Sequence, residues 1–296
     1  WHAIKDRLVY IVVALPIITM FLWRLLHTID KGDEVQNITM AYRLVLGQKP
    51  WVDIWEIFQS GNSFASPVIW LLVKMTGSTE GIIFFVRGAF LLMNLFLGAV
   101  LFFVLKNYIS KSILGACILA IICYAPFSLY YIWYDSMGLY FMLLGEILLF
   151  AGLQSGKGFS WSVFFAGVSH ALMSYAYPSF VLLAFIFAGI LYWLNKKKKR
   201  KNKIAFGQVC IYFAGAALIF CIFLIYLLSV GIDNTIFVKK DIIELLLSSH
   251  GAQKASLVKR IFRLFWWPLK KMAWSIIPTI FLGAFYYKSI KKCYVE

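Results

Sequence analysis

Apolar residues in this chain run in long blocks separated by short polar or basic stretches. Blocks such as Gly81 to Leu105 and Ile204 to Val230 match the roughly 20 residues a helix needs to cross about 30 Å of hydrocarbon. The short alternating segments of a closed barrel are absent, and lipid tolerates only helices or closed barrels because it offers no partner to a free backbone group. The pattern therefore predicts an all-α integral membrane protein. It is a polytopic helical bundle of about eight transmembrane helices, with interfacial helices in a long first outer loop. The predicted spans are residues 8–27, 81–105, 112–132, 137–153, 161–176, 178–194, 204–230 and 272–287. Tyr175-Ala176-Tyr177-Pro178 breaks one apolar tract into a hairpin, because proline restricts the residue before it and cannot donate.

Composition agrees. Hydrophobic residues make up 62% of the chain and charged residues 14%, with a mean hydropathy of +0.80. That is more apolar surface than a water-soluble core of this length can hide. The net charge of +16 is gathered between the apolar blocks, which fits membrane topology and argues against a nucleic-acid partner. With the N-terminus in the cytoplasm, Lys5, Arg7, Lys106, Lys111, Lys157, the Lys196–Lys203 run, Lys288, Lys291 and Lys292 share one side. The outer turns 133–136 and 175–178 carry no basic residue. Residues 231–271 conflict with this threading, since they fall outside yet hold Lys239, Lys240, Arg260 and Arg263. Either the last span is misassigned or those charges meet something anionic. The first block, Leu8 to Leu26, lacks a small-residue cleavage site and reads as an anchor that stays. Four of the five cysteines lie within spans and none forms a CxxC, so no disulfide or metal is assigned.

Two regions follow: residues 1–230 as a membrane module, and residues 231–296 as an outer basic amphipathic segment with a candidate last span. The first outer loop, 28–80, is far longer than a helix hairpin requires, and long loops tend to carry function. Within it, Asp33 and Glu34 open a helix with Val35, Ile38, Tyr42 and Val45 on one face, stopping at Gly47. Trp51, Ile54, Trp55 and Phe58 then have the spacing of a short interfacial helix, and Phe64 to Met75 reads as a re-entrant or interfacial piece.

The acidic Asp33-Glu34 pair just after the first span, the helix ending AYRLVLGQKPWVD and the following run of spans resemble the glycosyltransferase C superfamily. YDSMGLYFMLLGEILL at 134–149 and AYPSF at 176–180 are similar to bacterial members. The likeness is to polyprenyl-phosphate-sugar-dependent enzymes related to protein O-mannosyltransferases and lipid A aminoarabinose transferases, and covers about the first 195 residues. It implies a bacterial plasma-membrane enzyme with its active site on the outer face. Its partners would be a polyprenyl-phosphate-linked sugar donor and a glycan, lipid or protein acceptor. No cofactor is implied.

The resemblance further implies an inverting transfer in which Asp33 takes the proton of the attacking hydroxyl, with Glu34 as a supporting group. A departing lipid phosphate should meet fixed cations. Arg87, two turns inside a span, is a candidate because an ionisable group there is costly; snorkelling to headgroups is the plainer account. Lys239 and Lys240 in the outer segment, and Arg260 and Arg263 on a basic amphipathic stretch, are further substrate-binding candidates, with simple anchoring as the alternative. Asp135 in the next outer turn either faces the same cavity or is a plain loop residue. Asp33 itself also fits a carboxylate that caps free helix-start amides. Mid-span Glu146 is protonated, paired or lining a polar cavity, and His170 reads as a hydrogen-bonded interior histidine with no metal motif beside it. The Asn37 sequon sits on the predicted helix and is discounted. Other readings are a transporter or lipid flippase using Glu146, Arg87 and His170, and a non-catalytic scaffold in envelope polysaccharide assembly.

Overall fold

The computed structural model describes residues 15–23, 25–27, 33–54, 59–123, 130–155, 160–197 and 202–235. These are helical apart from turns and one isolated bridge, Pro50 to Ile54. By internal contacts the chain divides into Trp1–Lys240 and Asp241–Glu296. The second unit, with Arg260, Arg263 and the expected span 272–287, lies outside the described residues, as do Lys239 and Lys240.

An apolar helix α1 (Leu15–His27) is followed by α2 (Asp33–Val45), α3 (Gln59–Thr76), α4 (Ile82–Leu105) and α5 (Lys111–Cys123). Then come α6 (Tyr134–Ser155), α7 (Trp161–Ala176), a 3-10 turn at Pro178–Phe180, α8 (Val181–Lys197) and α9 (Asn202–Val230). Among the described residues, three helices are long and apolar enough to cross a membrane: α4, α6 and the Ile204–Val230 part of α9. They point to a membrane protein and coincide with the expected spans 81–105, 137–153 and 204–230. The expected spans 8–27, 112–132 and 178–194 correspond to the shorter apolar helices α1, α5 and α8, and 161–176 to the 16-residue α7. Exposed Phe206, Phe220 and Ile225 line the outside of α9, a surface that suits hydrocarbon.

Apolar attraction between helices vanishes when the solvent is itself hydrocarbon, so close packing must replace it. Glycines supply that contact. Gly138, Gly145 and Gly152 recur at seven-residue spacing along α6, and a Cβ at each would run into Phe180 and Tyr177, His170, and Val163 respectively. Between α7 and α9 the approach is closer still. A Cβ on Gly167 would strike the Tyr212 carbonyl, and one on Gly215 the Phe164 carbonyl. Leu149, Leu153, Val163, Ala166, Ala188 and Leu191 pack around Tyr212 in the core joining α6 to α9.

Polar staples complete the bundle. Tyr212, fully buried, donates to the Ala184 carbonyl (3.0 Å), so its oxygen accepts from His170 Nδ1 (2.8 Å). Three helices, α7, α8 and α9, are thereby tied. Asn195 of α8 donates to Gln208 of α9 at 2.8 Å. Asn94 of α4 donates to Tyr130, whose hydroxyl donates to the Ile122 carbonyl of α5.

The contacts also fix which helix ends lie together. The C-terminal ends of α1, α7 and α9 meet the N-terminal ends of α4 and α6 around α2 and α3. Lys106, Lys111 and Lys196 belong to the ends of α4, α5 and α8 away from α2.

Candidate functional site

The polar end of the bundle is built around α2. The helix opens at Asp33 and stops, as its pattern predicts, before Gly47, whose φ of 92° is a left-handed conformation that glycine adopts freely. Of Asp33 the structure describes the backbone only, at the first position of α2.

Glu34, at the next position, is 1% exposed. Arg87 of α4 grips it with two hydrogen bonds, Nε to Oε1 at 2.7 Å and Nη2 to Oε2 at 2.6 Å. A third, from Nη1 to the Leu25 carbonyl at 2.6 Å, reaches the end of α1. Arg87 is itself 4% exposed, so it does not snorkel to a headgroup. Its planar fork is matched by a carboxylate in bidentate geometry. Two residues singled out separately from the sequence thus form one buried ion pair that fastens α1, α2 and α4. Glu34 has both oxygens engaged and Arg87 has its charge balanced.

Further along α2, Asn37 donates to the Tyr131 hydroxyl at 3.3 Å and is 9% exposed, a setting that leaves no room for a glycan. Tyr131 belongs to the buried stretch Tyr130–Trp133 that leads into α6. There Asp135, half buried in the first turn of α6, lies beside Tyr177 at the end of α7. Burial, and then the negative charge of Asp135, pushes the Tyr177 phenol well above its ordinary value. The Tyr134 ring stands against Tyr177 at 5.5 Å. Asp135 and Glu34 therefore share one end of the bundle.

The second half of the loop departs from expectation. Residues 51–53 form a turn closed by the Pro50–Ile54 bridge, where a short interfacial helix was predicted; Trp55 and Phe58 lie outside the described residues. The reason is tertiary: Trp51 and Ile54 are buried at 7% and 2%, so their apolar side chains face protein. Trp51 has a φ of 65°, an uncommon conformation for a bulky residue and one that surrounding structure must enforce. The Asp53 carboxylate accepts from the Lys49 amide at 2.7 Å, and the Tyr226 hydroxyl donates to the Pro50 carbonyl at 2.8 Å, which together hold the turn.

Helix α3 begins earlier than the apolar run alone indicates, with a polar first stretch. Asn62 donates to Met40 Sδ on α2, Ser60 to the Ala176 carbonyl, and Ser63 pairs with the Tyr175 hydroxyl at 3.0 Å. Gly61 permits the crossing with α6, since a Cβ there would lie 2.5 Å from the Tyr134 Cα. Pro67 cannot donate to the Ser63 carbonyl, and Ser66 Oγ supplies the missing bond at 3.0 Å.

Ser60, Asn62, Ser63, Tyr131 and Tyr175 at this polar end are not singled out from the sequence as site candidates, and Asn37 is considered there only as a sequon. Three small polar residues within one turn of an otherwise apolar helix was the available signal. Mid-span, Glu146 is half buried, and among the described residues no cation pairs with it. Among the described residues no three His, Cys, Asp or Glu side chains converge as a metal site.

No protein-family model, no curated protein and no solved structure matches this chain.

Proposed function

We propose that the chain is a multi-pass membrane glycosyltransferase of about eight spans that moves a sugar from a polyprenyl phosphate to an acceptor hydroxyl. Its N-terminus would be cytoplasmic and its site on the outer face of a bacterial plasma membrane. The observation that carries this reading is the buried Glu34–Arg87 pair. It anchors the start of an acid-opened helix against the spans, at the bundle end where Asp135 and the polar turn of α3 also lie. Asp33, at that anchored start, is the general base of the reading, and Glu34 is a positioning residue because Arg87 occupies both its oxygens. A group that must abstract a proton needs a fixed location, and a charge-assisted bidentate bond one residue away supplies one.

The same pair changes the account of the leaving phosphate. Arg87 is already neutralised, so the developing charge needs other cations. Exposed Lys49 at the same end is one source, with Lys239, Lys240, Arg260 and Arg263 as the remaining candidates.

The test compares lipid-linked sugars by mass spectrometry in membranes holding wild type, no protein, or Asp33→Asn at equal abundance. Accumulation of one polyprenyl-linked sugar in both the empty and Asp33→Asn membranes is the expected result. Wild-type levels with Asp33→Asn would remove Asp33 as base and move the transporter and scaffold readings ahead.

A further inference from the structure

A cavity of about 330 Å³ opens between α7 and α9 beneath the Pro50–Trp51 turn. Leu172 and Tyr175 line it from α7, Ile219, Phe223 and Tyr226 from α9, and Pro50 from the turn. The α9 residues follow one another at helical spacing over seven positions, about 10 Å of helix. Its size is at the lower end of the roughly 300–1,000 Å³ of small-molecule pockets, enough for a stretch of chain.

Two features define what fits. Both tyrosine hydroxyls are committed to protein, Tyr175 to Ser63 and Tyr226 to the Pro50 carbonyl, so the walls present ring and aliphatic carbon. A sugar would find few partners there, whereas hydrocarbon would find van der Waals contact throughout. Next to the lining Pro50 in the chain stands an exposed lysine, Lys49. The turn carrying both is held in strain, with Trp51 at φ 65° and its ring edge-on to Phe223. An apolar slot with an exposed lysine beside its Pro50, against a helix, α9, that also exposes Phe220 and Ile225, matches an amphiphile with an anionic head and a hydrocarbon tail.

The geometry points to this cavity as the seat of the head-proximal isoprene units of a polyprenyl phosphate, with Lys49 beside the phosphate. The choice of an isoprenoid over an acyl chain rests on the glycosyltransferase reading. From the cavity, Tyr175 leads through Ser63 on α3, and Asn62 beside it bonds Met40 on α2, so the tail site adjoins the helix that Asp33 opens.

The experiment uses the full chain in phosphatidylcholine nanodiscs and two photoreactive probes, a diazirine-bearing polyprenyl phosphate and a diazirine-bearing phosphatidylglycerol, with labelled peptides mapped by mass spectrometry. The polyprenyl probe should label α7 and α9 peptides and be displaced by unlabelled polyprenyl phosphate, while the phosphatidylglycerol probe gives no displaceable label. Ile219→Trp, which fills the slot, should cut the label about tenfold. Lys49→Gln, on an exposed side chain that cannot disturb the core, should cut it about threefold.

Equal labelling by the two probes, or labelling indifferent to both substitutions, would overturn the assignment. Labelling reads the cavity whether or not transfer occurs. A labelled cavity alongside unchanged lipid-linked sugars in Asp33→Asn membranes would keep the lipid site and sink the transferase. Donor accumulation in Asp33→Asn membranes with no cavity label would sink the cavity alone.

Discussion

Arg87→Met removes three donors at once: two from the Glu34 carboxylate and one from the Leu25 carbonyl. The carboxylate left behind is 1% exposed, so water cannot replace what is lost. Breaking a buried pair from one side costs about 3–5 kcal/mol, much of it the isolated charge that remains. Arg87→Lys should lose a smaller part, because an ammonium keeps the charge but cannot reproduce the fork. The informative variant is the double, Glu34→Met with Arg87→Met. Replacing a whole buried pair by apolar groups of similar volume is often neutral, so the main residual loss is the Leu25 carbonyl's bond, about 1 kcal/mol. Unfolding in mixed micelles by added dodecyl sulfate, followed by tryptophan fluorescence, yields all four corners of the cycle. Singles well below wild type and a double well above either single is the expected pattern. An Arg87→Met variant within about 1 kcal/mol of wild type would refute the buried clamp, given the loss worked out above. So would a double that loses the sum of the singles.

Three further outcomes follow from contacts elsewhere. Gly167→Ala and Gly215→Ala place a methyl against a backbone carbonyl that no rotamer change can move, so α7 and α9 must separate. Both should destabilise by at least about 1–3 kcal/mol in the same unfolding assay, and more than Gly152→Ala, whose nearest neighbour is the movable Val163 side chain. Tyr212→Phe strips partners from His170 Nδ1 and the Ala184 carbonyl in the core and should cost about 1–3 kcal/mol, whereas Tyr226→Phe releases only the half-buried Pro50 carbonyl and should cost less. Ser136→Ala removes the hydroxyl that accepts from the Trp133 amide at 2.8 Å and lies within bonding distance of the Tyr131 and Trp133 carbonyls. It should lower stability by about 1–3 kcal/mol and speed hydrogen exchange across residues 130–135.

Much of the helical frame was legible because long apolar blocks have one meaning when the solvent is lipid. The start of α2 at Asp33 and its end before Gly47 were equally plain, since acidic first-turn residues and a terminal glycine act locally. What the pattern could not convey was partnership. Arg87 is conspicuous as a charge in an apolar block, but its partner is 53 positions away and only the tertiary fold brings the two together. Residues 51–58 have helical spacing, yet Trp51 and Ile54 turn inward because the bundle offers them contacts, and tertiary burial overrides local periodicity. The glycines of α6 repeat visibly, but their purpose rests on His170, Val163 and Tyr177 standing opposite.

The segment expected to span as 112–132 shows how a polar site is built at the end of such a bundle. Among the described residues, helix α5 runs from Lys111 to Cys123 and the chain is described again from Tyr130. Tyr130 to Trp133 are not helical, and backbone that does not bond within a helix must find its partners and its cover in the surrounding protein. Here it is covered: the four residues are between 1% and 7% exposed, with Ser136 bonding the Trp133 amide and Asn94 and Asn37 bonding the two tyrosine hydroxyls. Tyr130 is further wedged between Phe21 of α1 and Phe90 of α4. This covered stretch brings the Tyr131 hydroxyl to Asn37 of α2 and leads into α6, whose first turn carries Asp135. A bundle sealed by glycine contacts along its length thereby carries a hydrogen-bonded polar wall beside the helix that Asp33 opens.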